Sequence, residues 1–351
     1  MTKKQQNQVS NWLLIGVVMI FVQIIIGGVT RLTGSGLSIT EWAPIMGAIP
    51  PLNKEDWIIA FDKYKEIAQF QYLNAHFDLN DFKFIFFWEW FHRLWARSLG
   101  IVFAFPFFYF LFKKYFKVKE IVYLIILFLL GGLQGFIGWI MVKSGLNDTD
   151  LYVSHIRLAI HFMAAIGLLI YAFWMYLYFR IDKSHFIKAP KLKSTQLLLI
   201  ILVCFQFIYG AFMAGLKAAK FAPTWPTING EWYPSLMKGE SWINNVLSIH
   251  FVHRNMAYIL LIFTIISVIK IRKIAREKNA ALLFHSTFYS LILIIVQIAL
   301  GVFAVLSSLS IIHGEFGPFE FLAEAHQIVG MSLLMVLYLQ YFLMRRIEIN
   351  K

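Results

Sequence analysis

An all-α integral membrane protein, with eight transmembrane helices arranged as two four-helix halves, is predicted by three features of the 351-residue sequence. Hydrophobic residues make up 59% of the chain and charged residues only 15%, with a mean hydropathy of +0.67. That apolar load exceeds what one soluble domain can bury. Apolar runs of bilayer-spanning length occur at 12–30, 84–112, 120–142, 155–179, 195–216, 247–269, 281–307 and 322–344. The last four of these repeat landmarks of the first four.

The runs are continuous and lack the period-2 alternation of an outer-membrane barrel, so each reads as a helix. The leading MTKKQQNQVSN is too short for a transit peptide and is not the apolar core of a signal peptide, which makes the first run an uncleaved span. Lys and Arg gather at alternate helix ends: Lys3 and Lys4, then 113–119, 180–193, 270–278 and 345–351. By the positive-inside bias that face is cytoplasmic, and both termini lie on it. The net charge of +13 is therefore topological and does not mark a nucleic-acid partner. Glu41, Asp56, Asp78, Asp81, Asp148, Asp150, Glu231, Glu315, Glu320 and Glu324 fall on the opposite side. A short N-terminus favours a bacterial cytoplasmic (inner) membrane, with lipid around every span.

A shift of 183 residues superimposes Gln23 on Gln206, Gly27 on Gly210, Trp42 on Trp225, Gly47 on Gly230 and Pro51 on Pro234. A shift of 163 brings Gln134 and Gly138 onto Gln297 and Gly301, because the first outer loop is the longer one. The halves are 1–190 and 191–351. Four spans return the chain to its starting side, so the halves share an orientation and a pseudo-twofold axis along the membrane normal is expected. Of the outer loops, 31–82 offers Asn53 as an N-cap, followed by a helix with Trp57, Phe61, Tyr64 and Ala68 on one face. It lies on the membrane surface or over the bundle. The other loop, 217–246, with Trp225-Pro226 and Trp232-Tyr233-Pro234, reads as an irregular cap with interfacial aromatics.

Ionisable residues inside spans are expensive and point to function. His92, His161, His253 and His326 occupy matching depths in the even-numbered spans, toward the outer ends. Neutral imidazoles from two facing helices hold a heme iron, and the repeat sorts these four into His92 with His161 and His253 with His326. A single zinc or copper cluster fits two pairs less well. Cys204 is the only cysteine, which excludes a disulfide and a thiolate cluster. His155, His250 and His313 lie near outer helix ends, and His76, His185 and His285 read as surface. Arg93, Arg97, Arg157 and Arg254 stand on the acidic side, where they serve heme propionates or snorkel to the interface. Three residues before each HR pair the halves differ, Glu89 against His250. Glu89 is placed either to move protons or stabilise positive charge near a ligand, or simply to pair with Arg93 or Arg157.

The stretches GGVTRLTGSGLSITEWAPIMGAIPPL (27–52), EWFHRLWARSLG (89–100), GGLQGFIGWIMVKSGL (131–146), HIRLAIHF (155–162), IHFVHR (249–254) and AHQIVG (325–330) resemble the heme A synthases. The long first outer loop and PPL turn are similar to the alphaproteobacterial and mitochondrial branch. The loop cysteine pair of another branch is absent, and a thiol-dependent step does not carry over. The resemblance implies oxidation of a heme O methyl group to formyl by two hydroxylations and loss of water. It implies heme b as cofactor on His253 and His326 with Arg254 nearby, and heme O as substrate at His92, His161, Arg93 and Arg157, with Glu89 catalytic. It further implies a heme O synthase as substrate donor, cytochrome oxidase assembly factors as partners, and an electron donor of unknown identity; homo-oligomer formation stays open. A diheme b-type electron-transfer protein is the rival that the histidines alone allow. A proton-relay transporter is a third.

Overall fold

The computed structural model describes residues 1–42, 46–310 and 316–345, and these fold mainly as helix. In order come α1 (Lys3–Leu32), α2 (Lys54–Lys65), α3 (Ala68–Leu73), α4 (Leu79–Phe112), α5 (Val118–Lys143), α6 (His155–Arg180), α7 (Pro190–Gly215), α8 (Val246–Glu277), α9 (Ala281–Leu306) and α10 (Pro318–Leu343). Among the described residues seven helices, α1, α4, α5, α6, α7, α9 and α10, are long and apolar enough to cross a membrane. α8 covers the remaining apolar run with 32 residues. His313 and Glu315, expected at the outer rim, and the basic tail beyond Arg345 lie outside the described residues, as do Ala43, Pro44 and Ile45.

Local chemistry sets the helix starts. Asp78 caps α4 by accepting from the backbone N–H of Asn80 and Asp81, while Asp81 reaches back to the Asp78 N–H. Asn245 caps α8 through the Ser248 N–H at 3.0 Å, and Pro190 occupies the first turn of α7.

The chain divides into two compact units. The first holds Met1–Ala172 and the start of α10 through Glu320; the second holds the rest. The first contains two antiparallel hairpins. Trp12 Nε1 donates to the Val102 carbonyl and Trp95 Nε1 to the Met19 carbonyl, both at 3.0 Å, which runs α1 against α4. Tyr171 Oη donates to the Tyr123 carbonyl and Arg157 Nη1 to that of Ile140, which runs α5 against α6. In the second unit Ser267 Oγ donates to Gln196 Oε1 at 2.7 Å between α8 and α7. Gln340 Nε2 donates to Ser290 Oγ at 3.1 Å between α10 and α9. A further bond from Gln196 Nε2 to Gln340 Oε1 ties the two hairpins of that unit together. Intramembrane hydrogen bonds of this kind contribute about 0.6 kcal/mol each on average.

The first outer loop packs over the bundle instead of floating on the interface. Asn53 caps α2 as expected, accepting from the Asp56 N–H at 2.8 Å. Phe61, Tyr64 and Ile67 join Phe82, Ile85 and Phe86 of α4 and Leu37 in one buried cluster, and Trp57 meets Phe86 edge-on at 5.0 Å. The single helix expected to carry Trp57, Phe61, Tyr64 and Ala68 is broken at Glu66–Ile67. Ile67 turns extended, and the freed Ala68 N–H donates to the Asn147 carbonyl of the α5–α6 loop. A tertiary hydrogen bond thus replaces a helical one. The loop 217–246 is irregular, with short 3₁₀ turns at Ala218–Phe221 and Ser235–Met237.

Tyr64 gives this lobe a pH signature. Its hydroxyl donates to Gln69 Oε1 at 3.0 Å and accepts from Asn74 Nδ2 at 2.7 Å. Burial pushes its pKa from 10.0 up to about 12, with the bond from Asn74 acting the opposite way. A folded-state pKa raised above the unfolded value gives stability that is complete below pH 10.0 and lost as pH rises through about 12. Proteolysis between α2 and α4 is expected to accelerate across that window. Tyr64→Phe should remove this step, while leaving Gln69 and Asn74 short of a partner at a cost of about 1–3 kcal/mol at neutral pH.

Candidate functional site

Each of the four in-span histidines faces the partner arm of its own hairpin, and each meets the same two residue types there. His92 on α4 lies against Gln23 and Gly27 of α1. Gln23 Nε2 donates to the His92 carbonyl at 3.1 Å and also lies 3.1 Å from Nδ1. His161 on α6 lies against Gln134 and Gly138 of α5, with the amide 3.1 Å from its carbonyl and 3.2 Å from Nδ1. His253 on α8 lies against Gln206 and Gly210 of α7, where the amide donates to its carbonyl at 2.9 Å. His326 on α10 lies against Gln297 and Gly301 of α9; here the imidazole Nδ1 donates to the Gln297 main-chain carbonyl at 2.9 Å.

The glycines matter for reach. A Cβ at Gly138 would stand 2.8 Å from His161 Cε1, and one at Gly301 would stand 2.9 Å from His326 Cε1. At Gly27 and Gly210 the distances to His92 and His253 are 3.0 and 3.3 Å. All four imidazoles remain partly exposed, whereas His250 is fully buried and donates through Nε2 to the Ala218 carbonyl at 2.8 Å. His155 begins α6, and His76, His185 and His285 are exposed. Among the described residues no three His, Cys, Asp or Glu side chains converge as a metal cluster.

The residues flanking the HR pairs fasten the outer loops. Glu89 is 3% exposed and held by three donors: Oε2 accepts from Ser38 Oγ at 2.8 Å and the Ile39 N–H at 2.9 Å, and Oε1 pairs with Arg93 Nη2 at 2.5 Å. Arg93 also donates to the Ile39 and Glu41 carbonyls. In the second unit Arg254 donates to the carbonyls of Ala222, Thr224 and Thr227. Both guanidinium groups therefore hold loop backbone. Of the two ion pairs the sequence allowed for Glu89, the structure forms the one with Arg93. Arg97 sits partly buried one turn along α4, and Arg157 is exposed on α6, one turn before His161. Arg157 lines a cavity of about 690 Å³ at the outer ends of α5 and α6, together with Trp139, Lys143, Tyr152 and Ser154.

Residues 10–338 match the COX15-CtaA family, whose description is cytochrome oxidase assembly protein. The heme A synthase of Flavobacterium johnsoniae is 36% identical over 341 residues, covering 95% of this chain and 96% of the relative. That of Rhizorhabdus wittichii is 37% identical, covering 94% and 92%, and that of Paracoccus denitrificans is 35% identical, covering 94% and 86%. The chain belongs to the heme A synthase family. Family membership favours the synthase over the electron carrier that the histidines alone left open.

A heme implied by this family fits the residues present. An imidazole nitrogen binds a transition metal at about 2 Å, so two rings on opposite sides of one ion have centres roughly 6 Å apart. The His253 and His326 ring centres are 6.3 Å apart, inclined at 63°. Among the described residues, His253 Nδ1 and the Oε1 atoms of Gln23, Gln134, Gln206 and Gln297 are buried without a hydrogen-bond partner. Sequence reasoning found the ligand candidates but missed Ser38 and Ile39 as partners of Glu89. It used the glutamines only as repeat markers and allowed Gly27 and Gly138, with Gly28, Gly131, Gly132 and Gly135, a close approach of helices or ring; the recurrence of Gln and Gly at a spacing of four, once per hairpin, was the available signal.

Proposed function

We propose that the protein converts heme O to heme A, oxidising one ring methyl to a formyl group for cytochrome oxidase biogenesis. Similarity to heme A synthases across 94–95% of the chain carries this reading. In it α8 is the eighth span, both termini are cytoplasmic, and residues 1–190 and 191–351 form two halves. The heme sites lie near the periplasmic side of a bacterial inner membrane. His253 and His326 hold a heme b cofactor, with Arg254 fixing the loop above them. His92 and His161 receive heme O. Arg157 and Lys143, beside the 690 Å³ cavity, supply positive charge for its propionates. Bound heme iron supplies the capacity to activate oxygen with electrons from an outside donor. The chemistry is two successive hydroxylations of the methyl carbon, then loss of water from the geminal diol. A heme O synthase as source of substrate and oxidase assembly factors as recipients suit this reading.

Glu89 stands one turn from His92 on the same helical face and is held by three donors. A carboxylate fixed in place by three donors favours electrostatic stabilisation of positive charge at the methyl carbon over proton transfer. The test is expression with a heme O supply, followed by pigment extraction and chromatography. Formyl heme is the expected product. Heme B alone would overturn the synthase reading, and a colourless protein would overturn heme binding as a whole.

A further inference from the structure

We propose that the four Gln-x3-Gly pairs, Gln23/Gly27, Gln134/Gly138, Gln206/Gly210 and Gln297/Gly301, are positioning elements that aim the four imidazoles. The inference rests on the heme reading above. In every hairpin the Cε1 edge of the ring lies against the glycine, so closely that a methyl group would touch it at 2.8–3.3 Å. The atom that would have to yield is the far end of a histidine side chain, which can rotate away without disturbing the helix. Substitution at the glycine therefore strikes the aim of the ring more than the fold. The glutamine works from the other side. In three hairpins its amide grips the carbonyl of the histidine itself, fixing the height of one helix on the other. Its Oε1 is buried in all four, with no hydrogen-bond partner among the described residues. The same amide nitrogen lies 3.1–3.4 Å from a ring nitrogen of the histidine in every hairpin, so it meets the ring as well as the helix. In the fourth hairpin the Gln297 main-chain carbonyl already holds Nδ1 of His326.

Other glycines separate this role from general helix packing. Gly135 follows Gln134 directly on α5, and a Cβ there would meet nothing within 4 Å. The test uses the purified full chain, measuring heme bound per chain, the low-spin electron paramagnetic resonance signal, which reports the mutual angle of axial imidazoles, and thermal unfolding of the helices. Gly138→Ala and Gly301→Ala should shift that signal and weaken heme retention about 10- to 100-fold, the range for disturbing a ligand's supporting contacts. Gly210→Ala should do so least among the four glycines, and Gly135→Ala should match the unsubstituted protein. Gln206→Leu should shift the signal more than Gln297→Leu, since His326 keeps its backbone bond. Unchanged spectra for both Gly138→Ala and Gly301→Ala, or equal effects of Gly135→Ala and Gly138→Ala, would overturn the proposal. If Gly138→Ala fails to fold, the grading of Gly301→Ala over Gly210→Ala in the second unit decides it. A colourless unsubstituted protein would remove the heme reading; a coloured one with unaffected variants would remove only the positioning elements.

Discussion

Glu89→Ala is expected to retain bound heme yet form formyl product about 10²- to 10³-fold more slowly, the usual loss when one preorganised electrostatic group leaves a reacting centre. Chromatography of extracted pigments measures it directly. The close pairing with Arg93 raises an alternative, that Glu89 serves only to pin Ser38 and Ile39 over the end of α4. Glu89→Gln distinguishes the two. It keeps an acceptor for Ser38 and for the Ile39 N–H but removes the negative charge. If the charge acts on the substrate, Glu89→Gln should lose product as Glu89→Ala does. Product near that of the unsubstituted protein would make Glu89 an anchor for the loop. His250, at the equivalent place in the second unit, donates to the Ala218 carbonyl, and His250→Ala is expected to loosen the loop without a selective effect on product.

On the proposed assignment of a cofactor heme to His253 and His326, replacing His253 with glycine is expected to weaken heme retention in the second unit and abolish product, because the one remaining imidazole would hold the group less firmly. Added imidazole should restore the absorbance, since the space beside Gly210 and Gln206 would admit a free ring. His92→Gly should behave differently: the resident heme stays, and the loss falls on retention of heme O and on product. Loss of the same pigment from both variants would show that the pairs do not divide into cofactor and substrate sites.

The spans were legible because each apolar run is bounded by Lys, Arg or a capping residue, and α1, α4 to α7, α9 and α10 begin and end within a few residues of those bounds or extend them by a polar turn. Asn53 announced α2 for the same reason. The break at Ile67 was not legible, because the bond that causes it comes from Asn147, far away in sequence. The four histidines stood out as ionisable groups in oil. The clamps on the loops did not, since Arg93 and Arg254 bind main-chain carbonyls, and a carbonyl is present whatever residue occupies the position. Glu89 was singled out from its contrast with His250, but its ties to Ser38 and Ile39 depend on a loop course that carries no periodic signal.

Two helices, one bearing glutamine and glycine and the other bearing histidine, recur four times along this polypeptide. The elementary building block is accordingly smaller than either half: a two-span element that presents one imidazole at a fixed height and tilt. Such an element supplies one ring, so a site that takes two imidazoles would draw on two copies. On the proposed reading the two centres share this ligand scaffold, and they differ in the surface loops and in the residue three positions before the histidine, Glu89 against His250.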